Sequence, residues 1–359
     1  MGESWLLGKN IGVIVVKICN QREIGKKSSC FRWLKFLILA DNYHRRGGIM
    51  QNEKLEKINA ELKQIMLEKV HKLGTFQTTI PGLSLSRREQ GNCEGASIYS
   101  TSLGFIVDGQ KRSVIGDKEY EYGKNNCLVV GVDVPASFCT IGATHDHPFL
   151  SIGVEIDRAV LSELIMQLEE IHGLPEGMPN EALCVGTVDE NVWETVLRLM
   201  RLLDNPVEAK VLAPMIIREI YFRVLQTPLG MSLRDFNAKQ GASAQIARAI
   251  AWLRENYASP LSVAQLADNV HMGVSTFHRH FKEVTCMTPL QFHKRLRLHE
   301  AKRLMLTEKM DATTACYAVG YESPSQFNRE YKRQFGRPPY RDIKQQRELI
   351  RGNPGATLQ

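Results

Sequence analysis

Apolar residues between positions 52 and 73 recur at intervals of three and four. These positions are Leu55, Ile58, Leu62, Ile65, Met66 and Val70. This is the spacing of one helix face, so the segment predicts an amphipathic helix that packs against another element.

Residues 80–156 show short β-rich runs in place of helical spacing. The runs are ASIYS, GFIV, CLVVGVDV, FCTIGAT and LSIGVEI. Turn signals separate them at Asp108-Gly109, at Gly116-Asp117 and over 123–126. So many short strands in one segment predict a small antiparallel barrel or sandwich, a form that often encloses one small ligand.

Helical spacing returns after Asp157, over 160–168, 192–200 and 216–225. The Pro/Gly-rich stretch GLPEGMPN interrupts it, and NAKQGASAQ is typical of a linker. We predict that this helical region is a packing or dimerisation layer beside the barrel.

Two segments near the end of the chain match at an offset of 50 residues. GVSTFHRHFKEVTCMTP begins at Gly273, and SPSQFNREYKRQFGRPP begins at Ser323. In each, two aromatic residues four apart predict a core-facing helix side. The opposite face carries donors suited to base edges and phosphates. These candidate DNA-binding residues are Ser275, His278, Arg279, Lys282, Ser325, Asn328, Arg329 and Lys332.

A short helix and a tight turn precede each matching segment. SVAQLADNV leads to the turn at 271–273, and ATTACYAV leads to the turn at 320–322. Helix, tight turn and second helix form a helix-turn-helix, whose second helix enters the major groove. The basic stretch 290–306 is continuous and helical in period, so it would space two reading heads along DNA and add phosphate contacts.

The net charge of +7 is unevenly distributed along the chain. Residues 1–49 carry about +6, residues 50–240 about −7 and residues 241–359 about +8. A basic C-terminal third favours a polyanionic partner, because neutralising phosphates releases counterions.

The sequences LADNVHMGVSTFHRHFKEVTCMTPLQFHKRLRLHEAKRLML and AVGYESPSQFNREYKRQFGRPPYRD resemble the DNA-binding domain of AraC/XylS-type transcription regulators. The stretches GASIYSTSLGFIVDGQK and FLSIGVEID are similar to the cupin-like N-terminal domain of a YqhC-like subgroup, which is associated with aldehyde-reductase genes. Cys286 departs from the family pattern, which usually has Gly there, and Cys316 replaces a common Ala.

The resemblance implies an α+β multidomain protein with an N-terminal antiparallel β-barrel, a helical dimerisation region and a C-terminal all-α tandem helix-turn-helix domain. The expected division is 1–49, a leader or disordered arm; 50–156, the cupin-like sensor; 157–243, the helical dimerisation/linker region; 244–348, the DNA-binding domain; and 349–359, a tail. The implied function is promoter or operator DNA binding under a small-molecule effector, with an aldehyde as one candidate. The implied partners are RNA polymerase and a second copy of the chain, and activation is the family's commoner mode.

RRGGIM directly precedes Met50. Two Arg codons can spell the purine tract found before bacterial start codons, so we predict that translation starts at Met50; the alternative is a disordered basic arm. The eight cysteines show no C-x-x-C pair, which predicts reduced cytoplasmic thiols. No apolar run is long enough to span a bilayer.

Other chemistry receives less support from the residues. His145 and His147 have the H-x-H spacing of metal cupins, but a third His is missing and Glu155 is distant, so we predict no metal and no cofactor. Cys139 lies in a predicted strand, as an effector-reactive thiol or as an inert one. No hydrolase or Walker motif stands out, so we expect no enzyme activity. Two alternatives stay open: a metal-dependent cupin enzyme fused to a DNA-binding module, and a non-specific architectural DNA-binding protein.

Overall fold

The computed structural model describes residues 53–91, 93–171, 181–238 and 240–351, without the side chains at 93–96, 170–171 and 349–351. The chain divides into units 1–54 and 55–359, and the fold below is that of the second unit. The predicted leader, Met50 and the GLPEGMPN stretch lie outside the described residues.

The first described element, α1, is helical over residues 53–69. Its predicted apolar face is confirmed, since Ile58, Leu62 and Met66 are buried in the same core as the following sheet. The predicted helix extended to 73, but the helix ends at 69 and residues 72–73 form a bend that leads into the first strand.

Ten strands form two antiparallel sheets within the described residues. They are β1 Gly74–Gln77, β2 Leu83–Arg88, β3 Cys93–Tyr99, β4 Ser102–Asp108, β5 Gln110–Ile115, β6 Lys118–Gly123, β7 Asn126–Val130, β8 Val134–Ile141, β9 Phe149–Glu155 and β10 Leu183–Thr187. One sheet has the order β1-β2-β9-β4-β7-β10, and the other has the order β3-β8-β5-β6. The inner faces meet where Lys111 Nζ on β5 lies 5.8 Å from the ring centroid of Phe149 on β9. The predicted antiparallel β-domain is confirmed.

The predicted turns fall between strands. Gly109 joins β4 to β5 with a φ of +79°, and a Cβ there would lie 2.8 Å from the Cα of Phe149, so only glycine fits. Gly116-Asp117 closes the β5–β6 hairpin.

Strand β10 differs from the prediction, because it lies in a region where helical spacing was expected. It pairs with β7, with Leu183 opposite Val130. A run of five residues is too short for its period to distinguish a buried strand from a helix.

Twelve helices are described. After α1 they are α2 Arg158–Ile171, α3 Glu190–Arg201, α4 Pro206–Leu225, α5 Gly230–Asn237, α6 Ala242–Glu255, α7 Val263–Asn269, α8 Val274–Thr285, α9 Pro289–Thr307, α10 Ala312–Ala318, α11 Pro324–Phe335 and α12 Pro339–Arg351. Helix α3 lies on the six-stranded sheet, where Trp193 packs edge-on against Phe105 with ring centroids 5.6 Å apart. Helix α4 is fixed to the strand end by Tyr221, whose hydroxyl donates to the Glu155 carbonyl at 2.5 Å.

The β-domain also contacts the C-terminal helices. Asp133 forms an ion pair with Arg254 on α6 and accepts hydrogen bonds from the backbone N–H and hydroxyl of Thr101, at 2.7 and 2.9 Å. The N–H of Ala182, just before β10, donates to the Val284 carbonyl in the last turn of α8 at 2.9 Å.

Among the described cysteines, Cys127, Cys184, Cys286 and Cys316 are not disulfide-bonded. Cys139 is disulfide-bonded, so the expectation of uniformly reduced thiols is wrong at this position. Within the described ranges, no helix combines the length and the apolar character needed to cross a bilayer.

Candidate nucleic-acid interface

The first helix-turn-helix consists of α7 and α8. Ser262 caps α7 by accepting a hydrogen bond from the Gln265 N–H at 3.3 Å. Leu266 and Ala267 are buried, as predicted, and the chain reverses at His271, which has a φ of +56°. Helix α8 then begins at Val274.

The second helix-turn-helix repeats this arrangement with α10 and α11. Asp311 caps α10 by accepting from the N–H groups of Thr313 and Thr314 at 2.8 and 3.0 Å. Ser323 caps α11 through the Gln326 N–H at 3.3 Å, with Pro324 at the favoured first position. Both N-terminal signals of the predicted recognition helix are therefore present.

Aromatic side chains fix one face of α8 in the core. Phe277 and Phe281 are fully buried, with ring centroids 5.4 Å apart, and Phe281 meets Phe292 of α9 edge-on at 5.4 Å. The buried pair i and i+4 sets the rotation of α8 about its own axis, so the opposite face must point outward.

Helix α11 is held in the same way. Phe327 and Tyr331 are buried, with ring centroids 5.6 Å apart, and Tyr331 also stacks on Phe335 at 4.4 Å. The Tyr331 hydroxyl donates to Asp342 on α12 at 2.8 Å. Burial and this carboxylate raise the pKa of Tyr331 well above its usual value, so the hydroxyl stays a donor.

The outer faces of α8 and α11 carry all eight residues predicted to bind DNA. Each one is exposed: Ser275, His278, Arg279, Lys282, Ser325, Asn328, Arg329 and Lys332. Arg279 lies 4.0 Å from Glu283, while Arg329 and Lys332 form no ion pair within the described ranges. This exposed set is called the reading surface.

Each recognition helix ends in a left-handed residue. Cys286 has a φ of +53° after α8, and Gly336 has a φ of +75° after α11. A non-glycine residue pays about 1–2 kcal/mol for this conformation, so the first unit keeps the turn at a cost that the second avoids.

Helix α9 connects the two units without a break, as predicted. Its basic side chains, expected at phosphates, largely have protein partners. Lys294 pairs with Glu330 at 3.3 Å, and Lys302 pairs with Asp342 at 3.1 Å. Arg303 pairs with Glu300 at 2.7 Å. The connecting helix is thus mainly a structural element, whereas Arg279, Lys282, Arg329 and Lys332 on α8 and α11 are exposed.

Sequence reasoning also missed the role of Arg297 on α9, which was grouped with the basic residues expected at phosphates. Its guanidinium instead donates to backbone carbonyls, beginning with Tyr257 at 2.7 Å. Residue type alone predicts an exposed Arg, and its inward direction depends on tertiary packing.

The other candidate residues lie in or beside the β-domain. Cys139 is half-buried on β8. His145 and His147 are exposed, and His145 Nδ1 lies 2.9 Å from Glu89, whose carboxylate raises the pKa of this imidazole. Among the described residues, no group of three or more His, Cys, Asp or Glu side chains is placed to hold a metal ion.

Aromatic and polar side chains cluster on one face of the four-stranded sheet. The Ser113 hydroxyl lies 2.7 Å from the Tyr99 hydroxyl and 2.6 Å from the Tyr122 hydroxyl. Lys111 Nζ lies over the Phe138 ring, 3.9 Å from its centroid. Burial raises the pKa of both tyrosines. Tyr99, Ser113 and Tyr122 thus form a hydrogen-bonded cluster within the β-domain.

Comparisons with known proteins agree with this geometry. Residues 79–232 match the family profile of the AraC-type transcriptional regulator N-terminus, and residues 266–345 match a helix-turn-helix domain profile. The HTH-type transcriptional activator RhaS of Escherichia coli is 29% identical over 161 residues, which is 45% of this chain and 57% of RhaS. RhaS of E. coli strain HS is 27% identical over 175 residues, which is 49% of this chain and 62% of that protein. The match thus spans a little over half the length of these curated relatives.

One solved structure of similar fold is apo ToxT from Vibrio cholerae. It has a TM-score of 0.51 and 10% identity over 75% of this chain and 99% of that chain. One profile matches the segment that contains most of the β-domain, and the other matches the segment that contains both helix-turn-helix motifs, in the expected order. The chain belongs to the family of AraC/XylS-type transcription regulators.

Proposed function

We propose that this protein regulates transcription by binding a specific DNA sequence, under the control of a small molecule bound by its β-domain. The observation that carries the proposal is the reading surface, with four exposed polar side chains at equivalent positions on each of two recognition helices. Arg and Asn pair with guanine and adenine edges in the major groove, and Lys and Ser contact phosphates.

The proposal assigns a role to each part of the chain. In our proposal, residues 50–156 form the sensor, residues 157–243 form the dimerisation layer and residues 244–348 form the DNA-binding domain. The cytoplasm is the compartment in which such a protein would meet its promoter. Activation through RNA polymerase is the mode that we favour, because the RhaS relatives are named transcriptional activators.

Contacts between the β-domain and α8 offer a route for effector control. Besides the Ala182–Val284 hydrogen bond, Glu181 accepts from the Tyr120 hydroxyl of β6 at 2.8 Å. A Cβ at Gly116, in the β5–β6 turn, would overlap the Cys286 carbonyl. A ligand that moved this hairpin would therefore move the end of the first recognition helix, and only differential affinity for the two arrangements would shift their populations.

The effector class is proposed at two levels. The broader proposal is a small organic molecule that inserts beside the aromatic and polar cluster around Ser113. The narrower proposal is an aldehyde. After a thiol reductant has opened the disulfide at Cys139, the Cys139 thiolate would add to the aldehyde carbon, and the carbonyl oxygen would take a proton from water to give a hemithioacetal.

Selection of binding sites from random double-stranded DNA tests the function. The full chain should enrich one motif and bind it at least about a thousandfold more tightly than a scrambled duplex at 0.15 M salt. Equal binding to both duplexes would favour the non-specific architectural alternative. Stoichiometric metal in the purified protein, with a metal-dependent reaction, would favour the cupin-enzyme alternative.

Self-association through α4 is part of the proposal. Val207, Val211 and Met215 are more than 60% exposed and follow one another at i, i+4 and i+8, with Phe222 further along the same side. Contiguous exposed apolar residues mark interaction sites, and the homodimer expected for the family would cover them.

Replacing Val211 and Met215 by Glu should convert the dimer to a monomer, because both carboxylates would lose water at the interface. Sedimentation equilibrium measures the change. Lys210→Glu, at an exposed position of the same helix, is the matched control and should leave the dimer intact. A wild-type chain that stays monomeric at micromolar concentration would contradict this interface.

A further inference from the structure

A polar joint connects the two helix-turn-helix units. Arg297, in the middle of α9, donates from Nε to the Tyr257 carbonyl at 2.7 Å and from Nη2 to the Ala258 and Ser259 carbonyls at 3.1 and 2.9 Å. Its Nη1 donates to the Gly320 carbonyl at 3.1 Å. All three guanidinium nitrogens are therefore used on four carbonyls.

The four carbonyls come from the two different helix-turn-helix units. Residues 257–259 follow α6 and lead into the first helix-turn-helix, whereas Gly320 forms the turn of the second. Carbonyl groups at the end of a helix need donors, and a planar fork of five N–H groups supplies several from one fixed position. The two units are thus fastened to one side chain of the helix that connects them.

Direct contact at Gly320 completes the joint. A Cβ at this position would lie 2.1 Å from the Ala258 carbonyl oxygen, and the φ of Gly320 is +82°. His293, one turn before Arg297, contacts the Tyr257 carbonyl through Nε2 at 2.8 Å. The backbones of the two units therefore meet without room for a side chain, and donors on α9 surround the contact.

We propose that Arg297 is a positioning residue that fixes the angle between α8 and α11, and thereby fixes the DNA spacing at which both helices can read at once. The inference rests on the proposed function. Two rigidly joined heads bind together only when their target segments lie one helical turn apart on the same DNA face. Without these hydrogen bonds, α9 still links the two helix-turn-helix units, but the second unit gains freedom to rotate about the C-terminal end of α9.

The experiment uses the full chain and the motif selected from random DNA. Its two major-groove segments are placed at the selected spacing, and then with one base pair inserted between them. The wild-type protein should bind the inserted duplex at least about tenfold more weakly. Arg297→Ala should reduce this preference to threefold or less, while its affinity for DNA with one segment scrambled stays within twofold of wild type.

Arg303→Ala is the matched control, because Arg303 lies on the same helix and pairs with Glu300 and Glu308 near its end. It should retain the wild-type spacing preference. Arg297→Lys keeps the charge but cannot reach four carbonyls, and it replaces the Ala variant if that one fails to fold. The proposal is overturned if an Arg297 variant keeps the full preference, or if the folded wild-type chain binds the selected motif with no spacing preference. Failure to select any motif counts against the proposed function instead.

Discussion

The double variant Arg279→Ala, Arg329→Ala is expected to lose most of its affinity for the selected DNA site and little of its affinity for a scrambled duplex. Each Arg lies on the exposed face of a recognition helix, opposite a buried aromatic pair. A bidentate Arg–guanine contact contributes about 1–3 kcal/mol of discrimination, so two such contacts change the affinity ratio by roughly 30-fold to roughly 20,000-fold. Titration by fluorescence anisotropy at 0.15 M salt measures both affinities.

A matched pair of Lys variants separates reading from charge. Lys282→Ala, Lys332→Ala removes the same number of positive charges from the same two helix faces. It should weaken binding to all duplexes alike and lower the salt dependence by about two released counterions. If the Arg double variant also weakened every duplex equally, Arg279 and Arg329 would be phosphate contacts.

Acid is expected to destabilise the DNA-binding domain strongly. His293 and His299 lie in the core on α9, and burial lowers the pKa of His293 to about 4 and that of His299 to about 3. The positive charge of Arg297 also lowers the pKa of His293, and the charges of Lys302 and Arg295 also lower the pKa of His299. Both histidines are therefore neutral in the folded protein at pH 5.

The direction of the effect follows from proton uptake. In the unfolded chain both imidazoles bind protons near pH 6.5, whereas in the folded chain they bind them only near pH 4 and 3. Stability is thus full above pH 7 and falls as the pH drops toward 4. Between pH 7 and 5 each histidine should reduce the free energy of unfolding by roughly 2 kcal/mol.

Urea unfolding of the full chain at pH 7 and pH 5 measures this loss. His299→Leu should remove about half of it, since a leucine binds no proton in either state. His278→Gln, at an exposed position of α8, should leave the loss unchanged. The same loss in wild type and His299→Leu would show that other groups cause the acid sensitivity.

Both reading heads were predictable because local signals coincide there. Pro324 begins α11, Gly336 ends it, and the aromatic pair four apart orients it. The matching segment that begins at Gly273 has no Pro at the start of its helix and has Cys286 in place of the final Gly. Its helix was predicted from the 50-residue repeat, and Cys286 adopts the left-handed conformation although it is not a glycine. The internal repeat therefore compensated for the weaker helix start and stop signals of the first copy.

Features that depend on long-range packing were not predictable. Strand β10 is a strand because β7 offers it an edge, and five residues hold no periodic signal of that partner. Arg297 points inward because four carbonyls converge on it. Three belong to the α6–α7 connection, and the fourth belongs to Gly320, which follows Arg297 by 23 residues. The sequence pattern marks residue type and spacing, and neither reports such a convergence.

The most direct test of two-headed reading is a methylation-protection footprint of guanine N7 atoms on the selected DNA with the full chain bound. Two protected major-groove segments, about 10 base pairs apart on one face, are the predicted result. Arg279→Ala should abolish protection in one segment only, and Arg329→Ala should abolish protection in the other segment only. A single protected segment in the wild-type complex would contradict two-headed reading. Loss of protection in the same segment with both variants would also contradict it.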